Sequence, residues 1–144
     1  MEKFGENAIP LMEGMWVVKE NKTHLLGSIC EDCGEVYFPP KEIDICSHCQ
    51  SEKIKTIELS RIGEIHSFTE IHQPPAGGFY KGSVPFIYGL VKMPEGVIIP
   101  GHVIADVDNL KIGDKVEVIL DVLYETEEGP LISYKFQKCK EEAL

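Results

Sequence analysis

The stretch C-E-D-C-G-E-V-Y-F-P-P-K-E-I-D-I-C-S-H-C (residues 30–49) sets Cys30 and Cys33 in one Cys-x-x-Cys pair and Cys46 and Cys49 in a second, with twelve residues between the pairs. That spacing suits a short hairpin that returns the second pair to face the first. Zn²⁺ has no geometric preference from its d-electrons and takes thiolates tetrahedrally, so four sulfurs on two tight knuckles can close its whole shell. The reading is a zinc ribbon with one structural ion held by Cys30, Cys33, Cys46 and Cys49. A closed shell of this kind leaves no position for water or substrate, so no catalysis is expected at the metal. Iron in a tetrathiolate site would use the same ligands, and two disulfides or free thiols are further alternatives. Against disulfides, the leading MEKFGENAIP has neither the basic segment nor the apolar run of a secretory signal, and a cytoplasmic location is expected. Against a redox pair, that motif normally occurs once, at the start of a helix.

The knuckle residues fit the ribbon. Gly34 follows Cys33, where a positive φ lets backbone N–H groups turn toward sulfur without a Cβ clash. Gln50 holds the equivalent place in the second knuckle, which predicts a slightly strained turn. His48, between Cys46 and Cys49, is expected to be an exposed loop residue and not a ligand.

Working outward, a chain of 144 residues has room for one ordinary domain or two small ones. The ribbon is too small to fold on apolar burial, so its metal should supply about 10–16 kcal/mol. No apolar run approaches the ~20 residues that span a bilayer. The formal net charge of -10 argues against a phosphate backbone as partner, since nucleic-acid affinity comes largely from Lys and Arg. Neither nucleic acid nor membrane is expected to be a partner.

Residues 1–22 read as an arm with a short helix. Pro10 could start it, Leu11, Met15 and Val18 fall on one face, and Trp16 lies beside them, although Gly14 weakens the pattern. Its apolar side must lie on the rest of the chain or on another protein. The ribbon takes residues 23–59, with strands over 24–29, 35–38 and 54–59, the second stopped by Pro39-Pro40. Residues 60–144 read as five strands over 63–71, 86–93, 97–104, 112–120 and 131–136, with an irregular or helical crossing at 106–112. Val116, Val118 and Leu120 share one face, and Ile132, Tyr134 and Phe136 alternate with Ser133 and Lys135. The fold class is mainly β: a helical arm, a zinc ribbon and a five-stranded OB-type Greek-key barrel.

No catalytic residue is expected. His24, His66, His72 and His102 read as structural or surface residues, and Cys139, between two lysines, as an incidental thiol. There is no Gly-rich phosphate loop, paired-carboxylate motif or nucleophile elbow. The loop over residues 73–85 is longer than a turn requires and displays Phe79, Tyr80 and Lys81, which could meet a partner or a CoA phosphate.

The whole chain resembles the bacterial and archaeal proteins that join a rubredoxin-like zinc ribbon to an OB-fold and accompany thiolase-type enzymes acting on acyl-CoA. The resemblance rests on Cys30, Cys33, Gly34, Phe38, Pro39 and Pro40 (C-x-x-C-G-x-x-x-F-P-P), on the G-x-I-x-S-F-T strand over residues 63–69, and on P-F-x-x-G-L-V over residues 85–91. Lys41 and Gln50 depart from the family, which often has Arg and Gly there. Within the family the chain is similar to the small zinc-finger subunit of the benzylsuccinyl-CoA thiolase of anaerobic toluene degradation. The resemblance implies a non-catalytic subunit that docks on a thiolase-fold enzyme in a hetero-oligomer, stabilises it and helps form the shared acyl-CoA site. The alternatives are a single-stranded nucleic-acid-binding module, since ribbons and OB barrels both occur in such proteins, and a stand-alone acyl-CoA binder.

Overall fold

A computed structural model of the chain describes residues 8–10, 14–41, 45–73 and 84–139. Ten strands run in order: β1 (Ile9–Pro10), β2 (Trp16–Lys19), β3 (Lys22–Cys30), β4 (Val36–Tyr37), β5 (Ile54–Glu58), β6 (Ile62–Ile71), β7 (Phe86–Lys92), β8 (Ile98–Ile104), β9 (Lys115–Thr126) and β10 (Gly129–Lys138).

The last five close a barrel. β6 pairs with β7, β7 with β8, and β9 with both β10 and β6, all antiparallel, while β10 runs parallel to β8. One parallel pair in an otherwise antiparallel closed sheet is the Greek-key arrangement expected of an OB barrel. Alternation explains its interior. Val116, Val118 and Phe136 are fully buried and join Ile65, Val91 and Ile99 in one core, and Ile132 is fully buried as well. The crossing between β8 and β9 holds a single 3-10 turn at Val107–Asn109, where the Asp106 carboxylate accepts from the Asp108 N–H. Leu110 follows it into the core.

Upstream, β3 carries the ribbon. Its first residues pair with β2, and its last with β4 and β5. Leu25 of β3 and Leu59 after β5 belong to the barrel core, and Trp16, Val36, Phe38 and Ile57 pack against it. Arg61 fastens the two parts, donating to the Thr23 carbonyl at 3.3 Å and pairing with Glu117 of β9 at 3.7 Å.

The helical arm is corrected. Among the described residues the chain has no α-helix: Ile9–Pro10 lies parallel to β10, and Trp16–Lys19 forms a hairpin with β3. Glu20 and Asn21 both adopt positive φ, 52° and 64°, as a two-residue type I′ turn requires. The β-branched pair Val17-Val18 suits a strand, and Gly14 at φ 80° breaks any helix before it. Met15 is buried, Val18 is exposed, and Leu11 lies outside the described residues. No helix of the described residues is long and apolar enough to cross a membrane.

Candidate metal centre and exposed barrel face

The first knuckle leaves the end of β3, and the second precedes β5, so β3–β5 pairing brings the two together. They are built alike. In the first, Cys30 N–H donates to the Glu35 carbonyl and Gly34 N–H to the Cys30 carbonyl, at 2.9 and 2.8 Å; in the second, Cys46 N–H donates to the Ser51 carbonyl and Gln50 N–H to the Cys46 carbonyl, both at 2.8 Å. Gly34 and Gln50 end these turns with φ of 81° and 64°. Gln50 thus pays the left-handed strain that Gly34 avoids.

The four sulfurs lie within 4.8 Å of one another. Cys30 and Cys49 are 3.5 Å apart, and Cys33 and Cys46 are 3.6 Å apart. A tetrahedral zinc with Zn–S bonds of about 2.3 Å sets its sulfurs about 3.8 Å apart, so the cluster fits the ion. Cys30 and Cys46, the first of each pair, are buried; Cys33 and Cys49 are exposed.

Charge follows the same division. For Cys30 the Cys33 N–H is the main influence and holds the thiol below its ordinary range against burial. For Cys46, burial pushes up, but the Tyr37 hydroxyl and the N–H groups of Cys49 and His48 outweigh it and bring the value down to about 6. Cys33 is drawn down by the Glu35 N–H, yet burial and the neighbouring thiols carry it up to about 12. Cys49 is likewise raised, burial and the Cys30 thiol overcoming the Ser51 N–H. Each buried first cysteine is therefore easier to ionise than its exposed partner, and the cation would supply what the outer two need to follow.

Tyr37 is the site residue that sequence reading missed. Its hydroxyl lies 3.1 Å from Cys46 Sγ. An aromatic two positions before a proline pair carries no metal signature by itself; the contact exists because β4 folds back on β3. His48 is exposed, and among the described residues the four cysteines alone form a cluster able to hold a metal.

The other sequence candidates do not converge. His24 Nδ1 is 3.1 Å from the Leu59 carbonyl. His66 is exposed at the register shift between Ile65 and Ser67, and His72 lies 3.1 Å from the Glu70 carboxylate. His102 stacks on Phe86 at 4.4 Å. Cys139 is buried, its N–H donating to the Lys115 carbonyl. Phe79, Tyr80 and Lys81 lie outside the described residues.

A second feature lies on the barrel wall. Tyr88 and Leu90 of β7 face outward beside Ile98 and Ile104 of β8, all four exposed. The register sets Tyr88 opposite His102 and Leu90 opposite Pro100, so these side chains form one apolar face. Next to it a cleft of about 410 Å³ is bordered by Glu70, Phe86, His102, Leu123 and Lys135.

Residues 22–54 match the family described as "ChsH2, rubredoxin-like zinc ribbon domain", and residues 56–121 the one described as "ChsH2, C-terminal OB-fold domain". A "DUF35 domain-containing scaffold protein" of Methanothermobacter thermautotrophicus is 32% identical over 124 residues, 85% of this chain and 90% of that one. The "Benzoylsuccinyl-CoA thiolase subunit BbsA" of Geobacter metallireducens is 30% identical over 116 residues, 80% of this chain and 75% of that one. Among solved structures, a chain of the "Ltp2-ChsH2(DUF35) aldolase" is similar with a TM-score of 0.61 and 26% identity, covering 80% of this chain and 84% of that one. Two matched modules in the same order, a four-cysteine cluster of zinc dimensions and relatives aligned over most of their length lead to one conclusion: this chain belongs to the DUF35 family of zinc-ribbon and OB-fold proteins.

Proposed function

We infer that the chain is a non-catalytic accessory subunit of a thiolase-fold acyl-CoA enzyme, with one structural zinc on Cys30, Cys33, Cys46 and Cys49. The observation that carries this is the shared two-part architecture with chains named as a thiolase subunit and as part of an aldolase. Two features support it. The cysteines that could act as nucleophiles in the ribbon are committed to a closed metal shell. The outward faces of β7 and β8 expose contiguous apolar side chains, which a docking partner would cover.

The three parts are an arm over 1–22, the ribbon over 23–59 and the barrel over 60–144. The acyl-CoA site is shared with the partner. Phe79, Tyr80 and Lys81, which lie in sequence between β6 and β7, are the residues proposed to contact it; Glu70 and Phe86 of those two strands border the barrel cleft. The acyl-CoA is an aromatic one, of the benzoylsuccinyl-CoA kind in the thiolase relatives' name, the setting is aromatic degradation, and the complex works in the cytoplasm.

Affinity capture of the tagged chain from native extract, followed by mass spectrometry, tests the reading. A thiolase-fold protein should be recovered, and the isolated chain should not turn over acyl-CoA thioesters. Replacing Phe79 and Tyr80 together by Ala should weaken the complex or raise KM for the acyl-CoA. Turnover by the lone chain, or capture with no thiolase-fold protein, overturns the assignment.

A further inference from the structure

We propose that Tyr37 is a positioning residue for the metal, its phenol fixing the Cys46 sulfur and setting how firmly the ribbon keeps its ion. The phenolic oxygen accepts from the Ser47 N–H at 3.1 Å and stands 3.1 Å from Cys46 Sγ. With one lone pair taken by that N–H, the O–H is left to donate to sulfur, and a metal-bound thiolate can only accept.

The ring is itself clamped. Lys41 Nζ lies 4.4 Å from its centroid and donates to Ser47 Oγ at 3.1 Å. The Lys41 N–H donates to Ser28 Oγ at 2.9 Å, and Ser28 is buried in β3. Strand β3, strand β4 and the second knuckle are thereby tied through one phenol. This breaks the likeness of the two knuckles. In the first, the Asp32 carboxylate receives the Ser51 hydroxyl across the gap at 2.5 Å and pairs with Lys53 at 3.8 Å, and so offers no proton to a sulfur. Of the four ribbon sulfurs, Cys46 is the one with a side-chain hydroxyl beside it among the described residues.

The electrostatics favour such a device. Four thiolates around Zn²⁺ leave two net negative charges in a chain already at -10. A hydrogen bond into sulfur withdraws charge, and the Lys41 ammonium over the ring adds a positive one nearby. Outer partners of this kind typically change metal affinity about 10–100-fold.

The experiment is zinc competition on the full chain against a chromophoric chelator. It rests on the four-cysteine assignment, which the zinc content of the wild type measures separately as one ion per chain. Y37F keeps the ring and deletes the O–H; it should bind zinc about tenfold or more weakly. Loaded with Co²⁺, it should also show a shifted sulfur-to-metal charge-transfer band, which a merely structural ring would leave in place. K41M should have a smaller effect that does not add to that of Y37F, because it acts through the ring. Wild-type affinity with an unshifted band in Y37F overturns the proposal, as does full additivity. Should Y37F fail to fold, K41M carries the test by the same readouts, and wild-type values there overturn it equally.

Discussion

Gly63, the second residue of β6, sits where the barrel wall leaves no room for a side chain. A Cβ there would lie 2.7 Å from both Met93 Sδ and Val91 Cγ1 and 2.8 Å from the Lys92 carbonyl oxygen. Met93 and Val91 are fully buried and the third contact is backbone, so relief requires the strands to move. Gly63→Ala should destabilise by about 1–3 kcal/mol, read as a lower urea midpoint at unchanged slope. At Gly96 a Cβ meets nothing within 4 Å, but φ is +96°; Ala there should cost about 1–2 kcal/mol through conformation alone. His102 makes the stability pH-dependent. Burial, helped by the Lys135 charge, holds it down to about 4. An unfolded histidine titrates near 6.5, so between about pH 6.5 and 4 the unfolded chain binds a proton the native one refuses. Stability is present above that window and is lost as pH falls through it. The ring is only half-buried, and screening limits the loss to about 1–2 kcal/mol. His102→Gln should flatten this part of the curve, measured by urea midpoints at several pH values.

At the level of elements, β3 leads two lives. Its end, Cys30, belongs to the metal, while Leu25 belongs to the barrel core. Near Leu25, Leu59 N–H donates to its carbonyl and Leu26 N–H donates to the Met15 carbonyl, each at 2.8 Å. Stripping the zinc with a chelator should therefore free the knuckle amides of Cys30, Gly34, Cys46 and Gln50 to hydrogen exchange and leave Leu26 and the barrel strands protected. Uniform loss of protection, or none, would contradict this division. The cysteine spacing was legible because metal chemistry depends on residue type and interval alone, and the barrel strands because alternation reports burial directly. The N-terminal hairpin was not legible. Its turn puts Glu20 and Asn21 in left-handed conformations without a glycine to announce them, and Leu11, Met15 and Val18 happen to repeat at helical intervals. Tyr37 was hidden for another reason: its role depends on which sulfur the returning strand meets, and local sequence does not encode that.

For the molecule as a whole, the ribbon and the barrel do not stand apart as two cores. Leu25, from the ribbon's long strand, is fully buried among Ile65, Val116 and Phe136. Leu25→Ala should lower the stability of the barrel by about 2–5 kcal/mol with zinc still bound, seen as a single cooperative transition at a lower urea midpoint. A separate, earlier ribbon transition would show instead that the two halves melt independently. The parallel pairing of β10 with β8 has a consequence for how such a chain is made. Knuckles separated by twelve residues can capture their ion while the polypeptide is still leaving the ribosome. The barrel must wait for its final strand, because Phe136 meets Val103 only once β10 has emerged and threaded in between β8 and β9. Until then Leu25 and Leu59 have no interior to enter, and the nascent protein carries a finished metal centre beside an open, greasy sheet that chaperones would have reason to hold.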